Sequence, residues 1–190
     1  MSEKQADRRT LRTEKAIFEA LAELLAEKEL SKVTVQELSD MAMINRVTFY
    51  NHFLDVYDLY EKLETNVLTE LGMLMLRLQE LPTEKILSQL IDYADQNRVL
   101  FRLIFSPNST GQLYVKFSRM FEGVLRQVLA ERKHSDIMDP RLEYQSCYRA
   151  HACLSVIAKW VHYDFSESKR VILETLSGLD SNTEKYILSK

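Results

Sequence analysis

Glycine and proline are scarce, four and three in 190 residues. With so few backbone punctuators between long runs of Leu, Ala, Glu, Lys and Arg, the chain reads as helix nearly throughout. Cysteine is scarce too: Cys147 and Cys153 lie six apart on one predicted helix and point in different directions, which argues against a disulfide between them and fits a reducing compartment. No apolar run approaches the roughly 18 residues of a membrane span, and the first residues are charged rather than signal-like, so a cytoplasmic protein without a membrane partner is expected. A Gly-rich phosphate loop, a nucleophile elbow and a carboxylate pair with cause for split pKa values are all missing, so neither an enzyme nor a bound cofactor is expected. There is no basic excess: the net charge is −3. That argues against bulk attraction to nucleic acid, although the field at a contact surface matters more than the total.

What is present begins with 46% hydrophobic residues, ample for a buried core in one or two domains. The informative stretch is Thr34 to Phe53, TVQELSDMAMINRVTFYNHF. Thr34 is placed to cap a helix, with Glu37 completing a capping box. Val35, Leu38 and Met41 or Ala42 give that helix one apolar face. Asn45 is the next strong cap, leaving Met43 and Ile44 for the turn. In the second helix Phe49 and Phe53 at i and i+4 face inward, and Arg46, Val47, Thr48, Tyr50 and Asn51 occupy the exposed sides. Donors, a phenol, an amide and a small apolar contact are what groove reading requires.

Asn45-Arg46-Val47-Thr48-Phe49-Tyr50-Asn51-His52-Phe53 resembles the corresponding motif of the TetR family of bacterial transcriptional regulators: a cap, a basic residue, a small residue, Thr or Ser, a large apolar residue, Tyr, a polar residue, His or Tyr, then Phe. The resemblance implies an all-α fold, with an N-terminal three-helix helix-turn-helix domain over residues 1–54 and a larger C-terminal ligand-binding and dimerisation domain over 55–190. It also implies a homodimer on double-stranded DNA with a palindromic operator, and an effector or partner protein acting at the C-terminal domain. Arg46 and Asn51 are the candidates for base contact, supported by Gln36. Thr34, Asn45, Thr48, Tyr50 and the basic N-terminus would hold phosphate, Val47 would offer an apolar contact, and His52 would pack or meet phosphate. Two departures stand out. Met43 replaces a turn glycine, and Leu54 and Val56 replace lysines that would meet phosphate. The residues after Phe53 look similar to a branch that includes activators of dihydroxyacetone-kinase operons. The alternative is a non-enzymatic co-regulator with weakened DNA binding.

Along the chain, residues 1 to about 7 are polar and read as disordered. They are followed by a helix from Arg8 to about Lys28 whose Phe18, Leu21 and Leu25 would join Leu38, Ile44, Phe49 and Phe53 in one core. Lys4, Arg8, Arg9, Arg12 and Lys15 crowd this end, a basic cluster that would by itself be a solvated tail. Asp55 caps a connector helix running to about Glu80, and Pro82 falls at the start of the next. Thr83 opens that helix, Asn97 breaks it, and Ser106 to Gly111 is the strongest loop signal. A stripe from Leu113 to Leu129, a helix over Arg141 to Asp164, and a last helix capped by Ser166 and ending before Gly178 complete the chain.

Three further clusters carry two readings each. Met73, Tyr93, Phe101, Phe105, Tyr114, Phe117 and Phe121 could line a pocket for a small apolar effector or fill the core. Tyr148, Ala152, Ser155 and Trp160, on a helix with small residues at Ala150 and Ala158, could form half of a four-helix dimer interface or close the monomer core. Cys147 and His151 at i and i+4 could share a metal, but two ligands without a second pair favour ordinary packing, and no metal is expected.

Overall fold

The computed structural model describes residues 3–81 and 83–189, with side chains described for 10–81 and 85–189. The side chains of Lys4, Arg8 and Arg9, and Pro82, therefore lie outside the described residues. Nine α-helices and no strand occur among those described: α1 (Glu3–Glu27), α2 (Val35–Met41), α3 (Arg46–Tyr50), α4 (Val56–Gln79), α5 (Thr83–Gln96), α6 (Arg98–Ile104), α7 (Gln112–Lys133), α8 (Pro140–His162) and α9 (Lys169–Leu188).

The first helix starts at Glu3 rather than near Arg8, because the polar residues ahead of Arg8 include no helix breaker. Its buried stripe, Ile17, Leu21, Leu24 and Leu25, meets Leu38, Phe49 and Phe53, and Phe18 and Ile44 pack at the edge. A 3-10 turn at Leu30–Lys32 buries Leu30, and Val33 follows it into the core. Asp55 caps α4 as expected, its carboxylate accepting from the N–H groups of Tyr57 and Asp58, both at 2.8 Å. Asn97 breaks α5 from α6 with φ −122° and ψ 47°. One hydrophobic core runs continuously from Ile17 to Leu176, through both halves of the chain. Helix α7 packs along α4 and α8, α9 covers α5 and α8, and α6 lies against α1.

The last helix departs from the sequence reading at both ends. Ser168, not Ser166, caps it by accepting from the Val171 N–H, and it runs through Gly178 to Leu188. A helical glycine costs about 1 kcal/mol relative to alanine. Contacts beyond it outweigh that cost. The Arg149 guanidinium, fully buried, grips Asp180 through Nε at 2.8 Å and Nη2 at 2.7 Å, and donates to Glu184 at 3.1 Å. Arg132 binds the other Glu184 oxygen at 2.7 Å, and Ile187 is buried with Leu129 and Leu142.

Trp160 is also placed differently from its expected interface role. It is buried within the chain, its ring 4.8 Å from that of Phe165 and its Nε1 donating to the Glu167 carbonyl at 2.9 Å. The turn after α8 folds back over the indole and covers it.

Candidate nucleic-acid interface

Local chemistry sets α2 and α3 firmly. The Thr34 hydroxyl accepts from the Glu37 N–H at 3.3 Å, and the Glu37 carboxylate accepts from the Thr34 N–H at 3.0 Å, a complete capping box. Lys28 pairs with the same carboxylate. This pairing first, and the Thr34 side-chain and backbone bonds after it, hold the Glu37 carboxyl down at about 2. Past Met41 the helix ends in a Schellman motif, with Ile44 N–H donating to Ser39 O at 2.9 Å and Met43 N–H to Asp40 O at 3.2 Å. The motif requires a left-handed residue, and Met43 supplies it at φ 53°, its side chain 93% exposed. The Asn45 side-chain Oδ1 then accepts from the Val47 N–H at 2.9 Å and starts α3.

Helix α3 is short. Phe49 anchors it in the core, with Tyr50 edge-on at 5.6 Å between ring centroids. Gln36, Asn45, Arg46, Val47, Tyr50 and Asn51 are exposed, Thr34 is exposed at the α2 start, and Thr48 is half-buried. Arg12 and Lys15 are exposed on α1. His52 stands apart from the others: its ring is turned inward, Nδ1 lying 3.2 Å from the Glu14 carboxylate, so it ties the end of the helix-turn-helix to α1.

The two positions lacking lysine differ from each other. Leu54 is exposed, whereas Val56 is buried in the core. A cation absent from the sequence reading stands nearby: Lys62, two turns along α4, donates to the His52 carbonyl at 3.2 Å and to Asp58 at 3.1 Å, and sits 5.1 Å from the Phe53 ring centroid. The i, i+4 spacing of Asp58 and Lys62 was its visible signal. The Leu54 N–H, and then Lys62, hold the Asp58 carboxyl below the ordinary range.

The loop at residues 106–111 joins this unit to the rest. Ser106 Oγ and Asn108 Nδ2 both donate to the Leu25 carbonyl near the end of α1, at 2.7 and 3.2 Å. Thr110 Oγ1 lies 3.1 Å from the Tyr60 hydroxyl on α4, and Lys116 on α7 reaches Glu64 at 2.9 Å.

Of the aromatic cluster, the structure brings most members together but as filled core. Tyr93 and Phe105 flank Phe101 at 6.2 Å, Phe117 lies 5.9 Å from Phe101, and Tyr114 lies 5.7 Å from Phe105. Phe121 is fully buried, and Met73 is 58% exposed on the opposite side of α4 from the buried Leu71 and Met75. A groove of about 680 Å³ passes the edge of the cluster, lined by Phe105, Ser106, Gly111, Tyr114, Lys159 and His162 among others. On the outward side of α8 and α9, Tyr144, Tyr148, Ala152, Ser155, Leu179 and Tyr186 are exposed, and Tyr144, Tyr148 and Tyr186 line a shared groove. No helix among the described residues is long and apolar enough to cross a membrane.

Comparison with known proteins agrees with this architecture. Residues 83–181 match the TetR family model described as a transcriptional regulator C-terminal region. Over 60 residues the chain is 37% identical to the uncharacterized HTH-type transcriptional regulator YxbF of Bacillus subtilis (strain 168), a match covering 31% of this chain and 16% of that protein. The nucleoid occlusion factor SlmA of Marinomonas sp. (strain MWYL1) is 25% identical over 182 residues, 89% of each chain. The fold is similar to that of FadR from Bacillus subtilis, solved in complex with stearoyl-CoA, with a TM-score of 0.61 at 13% identity over 92% of this chain and 97% of that one. A family model spanning more than half the chain, a capped helix-turn-helix ahead of it and an all-helical fold lead to one assignment: the chain belongs to the TetR family of transcriptional regulators.

Proposed function

We propose that this regulator acts as a homodimer that places one α3 from each copy in successive major grooves of a palindromic operator. The observation that carries the reading is the exposed surface of Gln36, Arg46, Val47, Tyr50 and Asn51, held by the caps at Thr34 and Asn45. Arg46 and Asn51 read base edges, Gln36 supports them, and Thr34, Asn45, Thr48 and Tyr50 hold phosphate. Residues 1–54 form the reading unit and 55–190 the regulatory unit. The tyrosine-rich outward face of α8 and α9 is the dimer surface, with Trp160 contributing rigidity from within.

An effector enters the groove beside Phe105 and Tyr114. Its floor is apolar and its rim carries Lys159 and His162, which suits an apolar chain bearing an anionic group. The stearoyl-CoA bound by a protein of similar fold has that character. Ser106 lines the groove and also holds the Leu25 carbonyl, so occupancy there can shift α1 and with it the spacing of the two reading helices.

The test is selection of bound fragments from genomic DNA by the purified protein, followed by titration of the best fragment at several salt concentrations. A palindromic site bound far above random DNA, with log affinity falling steeply in log salt, is the expected result. Weak binding indifferent to sequence would favour the second reading, a co-regulator that docks protein through the exposed Met43, Val47, Leu54 and Tyr57 at the same end.

A further inference from the structure

We propose that Glu122, Cys147 and His151 form a binding site for a divalent transition metal ion of the zinc and cobalt class, joining α7 to α8. The sequence places Cys147 and His151 on one face of α8; the fold adds Glu122 from the facing helix α7. One donor atom from each of the three residues lies within 4.8 Å of the other two. Two of the three donors already lie near ligand spacing. Cys147 Sγ and His151 Nδ1 are 3.7 Å apart. A tetrahedral ion with metal–sulfur and metal–nitrogen bonds of about 2.3 and 2.0 Å places those two ligands about 3.5 Å from each other. The thiol and imidazole are thus already spaced as ligands, and the carboxylate closes the set by a side-chain rotation.

The donor chemistry agrees. A thiolate, a neutral imidazole and a carboxylate select a borderline ion over magnesium or calcium, and two anionic ligands neutralise its charge. Glu122 and Cys147 are half-buried and His151 is exposed, so the site opens to solvent on one side, leaving a fourth position for water. Tyr114 stands edge-on to the His151 ring at 6.4 Å. Two contacts give way on binding. Arg126, now 3.0 Å from Glu122, releases the carboxylate, and His151 Nδ1 exchanges its 3.0 Å contact with the Cys147 carbonyl for the metal. Metal binding releases the Cys147 thiol proton to solvent.

The test uses the reduced, full-length protein titrated with Co²⁺ and followed by absorption, then with Zn²⁺ in competition. The expected result is one equivalent per protomer, a near-ultraviolet thiolate-to-cobalt band and visible bands of tetrahedral intensity, all displaced by Zn²⁺. Cys147→Ser should abolish the near-ultraviolet band, and His151→Asn and Glu122→Gln should each weaken binding by roughly tenfold or more. Cys153→Ser should leave the spectrum unchanged, because that thiol is buried outside the set. Circular dichroism confirms that each variant keeps its helix content. Absence of the band in the wild-type protein overturns the site, as does a band that survives Cys147→Ser or binding indifferent to His151→Asn.

Discussion

Met43 holds a left-handed backbone at φ 53° with its side chain in solvent. The strain there has no packing to offset it. Met43→Gly is expected to raise stability by about 1 kcal/mol, seen as a higher urea midpoint at unchanged m. That turn was legible in the sequence because cap residues bracket it. Thr34 and Asn45 mark where two helices begin, and the resemblance, with its glycine at the turn, implied a left-handed residue at Met43. Glu37 gives a pH prediction. Its carboxyl is held down at about 2 from an ordinary 4.5, so its contribution is complete above pH 4.5 and is lost as pH falls through about 2. Glu37→Gln should therefore flatten the loss of stability over that interval, followed by urea unfolding at each pH. On DNA, Arg46→Ala or Asn51→Ala should cost about 1–3 kcal/mol at the selected operator and relax preference at one or two base pairs. Tyr50→Phe should weaken all sequences more evenly. Fluorescence anisotropy on matched and substituted operators separates these outcomes, and equal affinity of Arg46→Ala and wild type would displace the reading surface.

Among the elements, α9 was the least legible. Gly178 looked like a helix end because glycine so often is one, and local sequence carries no sign that Arg149, on another helix, grips Asp180 and Glu184 beyond it. Burial alone would lower the Arg149 pKa, but the two carboxylates prevail and hold it above its ordinary value. Arg149→Met leaves those carboxylates half-stranded and should cost about 3 kcal/mol. Gly178→Ala should do the opposite. An added methyl there meets nothing within 4 Å, so a gain of roughly 0.5–1 kcal/mol is expected from helix propensity. Chemical denaturation of both variants checks the pair, and a loss on Gly178→Ala would mean that α9 does not run through that residue. Trp160 escaped sequence reasoning for a related reason: a large aromatic on an amphipathic helix looks alike whether a second copy or the next turn of the same chain covers it. The aromatic cluster was found as a cluster, but residue identity does not distinguish rings that line a space from rings that fill it.

For the whole molecule, the outward face of α8 and α9 leads to the expectation that Tyr148→Arg or Tyr186→Asp converts a dimer to a monomer. Sedimentation equilibrium reads the mass, and operator affinity should fall with it, since a monomer brings a single α3 to the two half-sites. The helical class was visible from scarce glycine and proline, and the two capped helices α2 and α3 from Thr34 and Asn45, whereas the assembly of helices depended on long-range contacts that no window of sequence displays. Among those contacts, the bonds from Ser106 and Asn108 to the Leu25 carbonyl have a consequence for modularity. They satisfy a helix-end carbonyl of the N-terminal unit from a loop far along the chain, and one core continues beneath them. The boundary proposed after residue 54 would therefore divide labour without a structural seam. A chimera that grafts residues 1–54 onto another regulator's body inherits an orphaned carbonyl and a bared apolar flank on α1, unless the recipient brings its own hydroxyl and amide to the same place.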